Sequence, residues 1–165
     1  NAIIFRLGTL FGISDEFSRI RLDLVVNILV TKALTEGKLT VFGGEQWRPL
    51  LHVVDVANAI AHTIESDVTG IFNLHYKNFK IIDIAQAIIE KVPSASIETT
   101  PIKFQDARNY QVSSEKLYKE SGFKASTNLS KGIEEIYNLI SNNRIKNVHH
   151  NRYSNQNFLE EYGIS

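Results

Sequence analysis

The 165-residue sequence predicts a mixed α/β domain with helices around a small mixed sheet. Hydrophobic residues make up 43% of the chain and charged residues 22%, a balance typical of a soluble globular protein. Short apolar runs alternate with segments whose apolar residues recur at helical spacing. Because the runs are short, they favour a small sheet over a complete doubly wound one.

The predicted strands are apolar or alternating runs bounded by glycine, proline or polar residues. The first is rich in β-branched residues and ends at Gly8. We expect a missing part of the protein to bury it, and this chain alone to expose Ile3, Ile4 and Phe5. Together the predicted strands cover residues 2–7, 39–42, 50–54, 71–74 and 96–100.

The predicted helices follow the helical spacing of apolar residues and the positions of capping residues. Asp55, Asp83 and Asn128 are placed to begin three of them, and Gly37 and Gly122 follow the ends of two. The helices cover residues 20–34, 56–64, 81–92, 113–121 and 129–140. We expect residues 141–165 to be a loose tail with a short terminal helix.

Composition excludes several classes of function. The 18 basic and 18 acidic side chains cancel, so the sequence predicts neither a nucleic-acid-binding face nor a membrane-binding patch. With no cysteine, disulfides, thiolate nucleophiles and thiolate metal sites are excluded. No signal peptide opens the chain, which favours a cytoplasmic location. The chain has no methionine and opens inside an apolar run, which suggests part of a longer protein.

Several short motifs occur in a characteristic order along the chain. Arg-Leu-Gly-Thr-Leu-Phe-Gly at residues 6–12 precedes Leu-Thr-Val-Phe-Gly-Gly at 39–44 and Trp-Arg-Pro-Leu-Leu-His-Val-Val-Asp-Val-Ala at 47–57. Gly-Ile-Phe-Asn-Leu at 70–74 and Asp-Ala-Arg-Asn-Tyr at 106–110 follow. Over residues 2–140 this order resembles the extended short-chain dehydrogenases/reductases, specifically the NAD-dependent nucleotide-sugar epimerases and dehydratases.

The resemblance implies that two halves of a longer enzyme bind different molecules. In the family an N-terminal Rossmann domain binds NAD or NADP, and a C-terminal part binds the nucleotide-sugar substrate. Residues 1–142 resemble that substrate-binding part, including the last strands of the Rossmann sheet, and residues 143–165 form a tail. The resemblance also implies a homodimeric parent enzyme, with epimerisation, dehydration and reduction all open as its reaction.

No catalytic residue is expected within this chain. The family's catalytic pair is Tyr-x-x-x-Lys, in which the lysine lowers the tyrosine pKa so that the tyrosine acts as a base. Tyr76 and Lys80 have this spacing but follow a predicted strand rather than lying on a long helix upstream of Arg6. We therefore expect the true pair and the glycine-rich dinucleotide loop upstream of Asn1, and no turnover by the 165 residues alone.

Arginines are the strongest candidate substrate ligands. Arg48 matches the family arginine that contacts the substrate diphosphate, and a planar guanidinium suits phosphate oxygens. The alternative is a surface salt bridge, for instance with Glu45. Arg108 is the second candidate, and Lys103 is placed to assist it.

Five further residues match family positions near substrate or cofactor. Thr9 stands where many relatives carry a substrate-contacting asparagine, and Gly8 replaces an aromatic residue near the nicotinamide. Thr40 and Phe42 match the segment that holds the nucleobase, with core packing as the alternative for Phe42. Asn27 interrupts an apolar helix, so it either faces the substrate or serves the helix itself.

Other polar residues receive structural interpretations. His52 and Asp55 lie at metal-ligand spacing but are structural in the family, and the other histidines form no zinc pattern. Arg19 and Arg21 either meet a phosphate or sugar acid or lie in a solvated loop. Two other functions remain open: a nucleotide- or partner-binding module without turnover, and a reductase of a non-sugar substrate.

Overall fold

A computed structural model describes residues 2–15, 17–101 and 108–163. Strands and helices alternate as predicted. The strands are β1 (Ile3–Leu7), β2 (Thr9–Phe11), β3 (Lys38–Phe42), β4 (Trp47–His52), β5 (Gly70–Leu74), β6 (Lys77–Lys80) and β7 (Ser96–Thr100). The helices are α1 (Val25–Glu36), α2 (Val53–Thr63), α3 (Ile81–Lys91), α4 (Glu115–Ser121), α5 (Leu129–Ser141) and α6 (Asn155–Glu161), with a 3-10 turn at Asn151–Tyr153.

The strands pair into three small sheets within the described residues, which confirms the α/β class. β1 runs parallel to β5, and β3 runs parallel to β7. β4 lies between β2, to which it is parallel, and β6, to which it is antiparallel. None of the described helices has the length and apolar character needed to cross a membrane.

The main apolar core lies where α1, α3 and α5 pack on β2, β3 and β4. Gly132 allows α5 to approach β2, because a Cβ atom there would lie 2.4 Å from the ring of Phe11. Val26, Val30, Ile84 and other apolar residues of these helices are fully buried. Burial of this apolar surface is the main favourable contribution to the stability of the fold.

The β1–β5 pair is only half covered: Ile4 is exposed as expected for this chain alone, whereas Ile3 and Phe5 are half-buried. Ile4 is 53% exposed, and Leu7 and Ile71 are exposed to a similar extent. Ile3 and Phe5 pack against a second apolar cluster that contains Phe72 and Leu74. This sheet therefore presents an apolar strip at its surface.

Helix α1 begins at Val25, so the prediction of a helix from residue 20 was wrong by five residues. The side chains of Arg21 and Asp23 form an ion pair, with 2.9 Å between Nε and Oδ1. The backbone N–H of Leu22 donates to the carbonyl oxygen of Tyr153 (2.8 Å), far along the chain. These contacts hold residues 21–23 outside the helix.

The C-terminal tail is not loose in the described structure. The backbone N–H of Asn155 donates to Asp23 Oδ2 (2.7 Å), and Arg19 Nη2 donates to Asn155 Oδ1 (2.6 Å). The guanidinium of Arg19 also lies 4.4 Å from the ring centroid of Phe158 on α6. Ile145 is buried. The terminal helix was predicted, but its attachment to residues 19–23 was not.

β4 ends at His52 and helix α2 begins at Val53, so the predicted extended run over residues 50–54 began three residues too late and ended two residues too late. The residue preceding α2 is His52, whose Nδ1 accepts a hydrogen bond from the Val54 N–H. Asp55, predicted to cap this helix, lies inside its first turn. Its carboxylate accepts hydrogen bonds from the backbone N–H (2.9 Å) and hydroxyl (3.1 Å) of Thr127.

Candidate functional site

The candidate site begins where β1 and β5 end. Gly8 donates its N–H to the carbonyl oxygen of Leu74 (2.8 Å) and lies against Pro49 and His75. A Cβ atom on Gly8 would lie 2.8 Å from the Pro49 oxygen and 3.2 Å from His75 Cβ, so the ends of β1 and β5 meet β4 here. In doubly wound α/β proteins, ligands bind at the carboxyl ends of parallel strands.

Arg48 lies at the start of β4 beside this meeting point. It is only 6% exposed, and its Nη1 donates to the carbonyl oxygen of Trp47 (2.9 Å) and to that of Arg108. The backbone N–H of Trp47 donates to Asn109 Oδ1 (3.0 Å). These bonds hold the segment after residue 107 against β4, so the structure brings Arg48 and Arg108 together.

The alternative salt bridge from Arg48 to Glu45 is not formed. Glu45 instead pairs with Lys80, with 2.7 Å between Oε2 and Nζ. This hydrogen bond raises the pKa of the exposed Lys80 above its ordinary value. The ring of Tyr76 stacks on Phe79, with 6.4 Å between ring centroids. That Tyr76 and Lys80 are not a catalytic pair stays a prediction.

The remaining strand candidates lie on β2 and β3. Thr9 is half-buried and pairs with Leu50 of β4, and Thr40 pairs with Glu98 of β7. Phe42 ends β3, and its carbonyl oxygen accepts a hydrogen bond from Gln46 Nε2 (2.8 Å) in the turn that leads to Trp47. Lys103 lies outside the described residues.

Asn27 is fully buried and holds the turn after β2 in place. Its Oδ1 accepts from the Gly12 N–H (3.1 Å), and its Nδ2 donates to the Gly12 oxygen (3.1 Å) and to the Arg21 oxygen (2.7 Å). The side-chain amide of Asn27 thus binds backbone groups at both ends of the segment between Gly12 and Arg21. A direct contact between Asn27 and substrate stays a prediction.

A buried His–Glu pair next to this turn was missed by the sequence analysis. His52 is fully buried, and because its Nδ1 accepts from the Val54 N–H, its Nε2 carries the hydrogen. That hydrogen is donated to Glu135 Oε2 (2.8 Å), which also accepts from the Ile13 N–H (3.3 Å). His52 thus connects β4 to α5 through a buried hydrogen bond, and no group of three or more acidic or histidine side chains suits a metal within the described ranges.

Comparison with known proteins relates the first part of the chain to one family and most of the chain to a known fold. The sequence profile of the NAD dependent epimerase/dehydratase family matches residues 1–74. Residues 1–74 thus carry the epimerase/dehydratase signature. This match confirms the resemblance inferred from the motifs.

Individual proteins with known activities match most of this chain. UDP-glucuronic acid decarboxylase 1 of Arabidopsis thaliana is 27% identical over 115 residues, which are 68% of this chain and 26% of that protein. The structure of an NAD dependent NDP-hexosamine 5,6-dehydratase involved in tunicamycin biosynthesis superimposes with a TM-score of 0.72 at 17% identity. The superposition covers 87% of this chain and 47% of the dehydratase chain.

A further epimerase structure contains two bound ligands. UDP-glucuronic acid 4-epimerase from Bacillus cereus, in complex with UDP-glucuronic acid and NAD, superimposes with a TM-score of 0.70 at 22% identity. The superposition covers 85% of this chain and 45% of the epimerase. The chain therefore spans less than half the length of each of these three relatives.

His75 connects the end of β5 to the segment before α4. Its backbone N–H donates to Ser114 Oγ (2.9 Å), and its ring Nδ1 lies 2.6 Å from the same oxygen. Asn78 exchanges two hydrogen bonds with the backbone of Val112, each 3.0 Å long. The turn after β5 is thereby attached to the segment that follows Arg108.

Burial lowers the pKa of His75 below its ordinary value of 6.5, because the charged imidazole loses hydration. Between the folded and unfolded pKa values the unfolded chain binds more protons, so stability falls as pH decreases from about 6.5. We expect the melting temperature to drop between about pH 7.5 and pH 5, and to drop less in His75→Gln. The exposed His149→Gln is the control; an unchanged pH slope in His75→Gln would contradict the assignment.

Proposed function

We propose that this chain is the sugar-nucleotide-binding half of an NAD-dependent enzyme that acts on a nucleotide sugar. The observation that carries the proposal is the anchored Arg48, which is bonded to the Arg108 carbonyl oxygen and precedes Pro49, the β4 residue that contacts Gly8. The proposal is supported by the family match and by the UDP-glucuronic acid named for the Bacillus cereus epimerase.

The physical argument rests on how Arg48 is held. A sugar nucleotide carries a diphosphate, and a guanidinium recognises phosphate oxygens through paired, charge-assisted hydrogen bonds. Arg48 is nearly fully buried, so its charge is little screened by water. The hydrogen bond from Arg48 to the Arg108 oxygen fixes the guanidinium between β4 and the segment after residue 107. A rigid cation costs little conformational entropy on binding.

The described residues do not by themselves fit a dinucleotide. Gly8, predicted to touch the nicotinamide, is buried against Pro49 and His75. We therefore assign NAD, and the catalytic tyrosine and lysine, to a part of the protein outside these 165 residues. On this proposal, residues 1–142 supply the substrate side of the site, and the 165 residues alone convert no sugar nucleotide.

The test measures binding of UDP-glucuronic acid and UDP-glucose to the full-length protein by calorimetry. We expect Arg48→Lys to weaken binding about tenfold or more, because a lysine loses the paired hydrogen bonds. Arg108→Lys is the second variant, and exposed Arg144→Lys is the matched control. Thermal melts separate lost binding from lost folding.

Two results would overturn the proposal. The first is unchanged binding in well-folded Arg48→Lys and Arg108→Lys proteins. The second is a full-length protein that binds neither sugar nucleotide. Binding without any NAD-dependent conversion would favour the binding-module alternative over the enzyme.

A further inference from the structure

A cavity of about 280 Å³ opens between the end of β5 and helix α4. The proposed function does not use this cavity. Its volume is just below the range typical of sites for drug-sized ligands, so a smaller molecule suits it. Buried apolar residues form part of its lining: Leu74, Leu117 and Ala125. Aromatic side chains form another part: Tyr76, Tyr118 and Phe123.

Ser114 offers the cavity a hydrogen-bond donor. The Asn78 amide is oriented by its two bonds to the Val112 backbone, so Nδ2 is the atom that lies 3.5 Å from His75 Nε2. Since Nδ2 can only donate, Nε2 is the accepting nitrogen of the neutral imidazole, and Nδ1 carries the hydrogen. Ser114 Oγ then accepts hydrogen bonds from the backbone N–H and from the ring Nδ1–H of His75. The hydroxyl hydrogen of Ser114 is thus left to donate.

The same hydrogen-bond pattern excludes a nucleophilic serine. Activation of a serine requires a ring nitrogen that accepts the hydroxyl proton. Here Nδ1 donates to Ser114 Oγ, and no carboxylate is hydrogen-bonded to His75 among the described residues. The arrangement therefore serves binding rather than covalent chemistry.

The charges around the cavity favour an anionic group. Lys124 lines the cavity and forms no ion pair within the described part of the chain. Glu115 also lines it, but its carboxylate pairs with Lys119 at 2.7 Å. One hydroxyl donor and one available ammonium thus lie next to aromatic and aliphatic walls. This combination suits an acidic oxygen on a flat apolar body.

We propose that the cavity between β5 and α4 binds a small aromatic carboxylate, with the ring among Tyr76, Tyr118 and Phe123 and the carboxylate at Ser114 and Lys124. This site is separate from the diphosphate site proposed at Arg48. The Ser114 backbone continues directly from Val112, to which Asn78 is bonded. An occupant of the cavity therefore contacts the segment that follows Arg108.

The experiment titrates the full-length protein with three probes and follows the His75 ring nitrogens and bound-probe signals by NMR. Benzoate combines ring and charge, benzamide keeps the ring without the charge, and acetate keeps the charge without the ring. We expect benzoate to bind at least fivefold more tightly than either of the others. Saturable benzoate binding is expected to shift the His75 resonances and to persist when a sugar nucleotide is present.

Matched variants locate the bound acid. Ser114→Ala is expected to weaken benzoate binding about fivefold, since one hydrogen bond is lost, while the neighbouring exposed Ser113→Ala leaves it unchanged. Lys124→Gln is expected to weaken binding about threefold, as for an exposed charge, while exposed Lys131→Gln has no effect. Melting curves confirm that each variant is folded.

Three results would overturn the proposal. These are no saturable benzoate binding, equal affinity for benzoate and benzamide, and equal effects of Ser114→Ala and Ser113→Ala. None of these results bears on Arg48, because sugar-nucleotide binding is measured separately. Conversely, if the experiments on Arg48 overturn the sugar-nucleotide proposal, the benzoate-binding result is unaffected.

Discussion

Replacing Gly12 with alanine is expected to lower the free energy of unfolding by about 3–5 kcal/mol. Gly12 has a φ of 84°, which costs other residues about 1–2 kcal/mol. A Cβ atom there would lie 2.0 Å from His52 Nε2, the atom that donates to Glu135. The histidine must therefore move, and its buried hydrogen bonds to Glu135 and Val54 are lost.

Gly37→Ala separates the backbone cost from the clash. Gly37 has a φ of 67°, but a Cβ atom there would meet nothing within 4 Å. We expect this control to lose only about 1–2 kcal/mol, measured by urea unfolding of both variants. If the two alanine variants were equally destabilised, the packing of His52 against Gly12 would not be the cause.

Removing the carboxylate of Glu135 is expected to be the second large effect. Glu135→Ala leaves the buried Nε2–H of His52 and the Ile13 N–H without their acceptor. Each unsatisfied buried donor costs about 1–3 kcal/mol, so we expect a loss of about 2–4 kcal/mol in denaturant unfolding. Amide hydrogen exchange at Ile13 is expected to become faster in the same variant.

The adjacent Glu134 provides the matched control on the same helix. It pairs with Lys91 at 3.3 Å, and both side chains of that pair are solvent-accessible. Such a pair contributes about 0.2–1 kcal/mol, so Glu134→Ala is expected to lose no more than that. Comparable losses in the two variants would mean that Glu135 contributes only helix propensity and surface charge.

Elements with strong local signals were predicted from the sequence. Helix α5 begins directly after Asn128, whose Oδ1 accepts the Lys131 N–H, and its apolar residues recur at helical spacing. β7 occupies the predicted residues 96–100, and β5 differs from its prediction by one residue. Each of these signals acts over a few residues, so a single sequence contains it.

Elements set by distant partners were not predicted correctly. β6 has a polar sequence, and its pairing with β4 places Phe79 opposite Arg48. Asp55 has the right position for a cap, but Thr127, 72 residues away, binds its carboxylate instead. The start of α1 depends on Tyr153 and Asn155 in the tail. Pairings over such distances leave no periodic trace in one chain.

In the candidate site too, residues marked by local motifs were predicted, and residues defined by distant contacts were not. Arg48 and Arg108 were singled out because short motifs surround them, and the structure places them together. Glu135 lies 83 residues from His52 in an ordinary amphipathic helix, so no motif marks it. The buried state of Gly8 depends on Pro49 and His75, which only the folded chain brings to it.

The hydrogen bonds of Asn27 fix the two ends of the segment between Gly12 and Arg21. One buried amide binds Gly12 at the entrance of the loop and Arg21 at its exit. The distance between the two ends is therefore set by α1 rather than by the loop's own sequence. Surface loops with fixed ends tolerate changes of length well. The segment between Ile13 and Arg19, which includes the exposed Phe17, is therefore expected to tolerate substitution while β2 and α1 keep their places. Ile13 and Arg19 themselves contact Glu135 and Asn155.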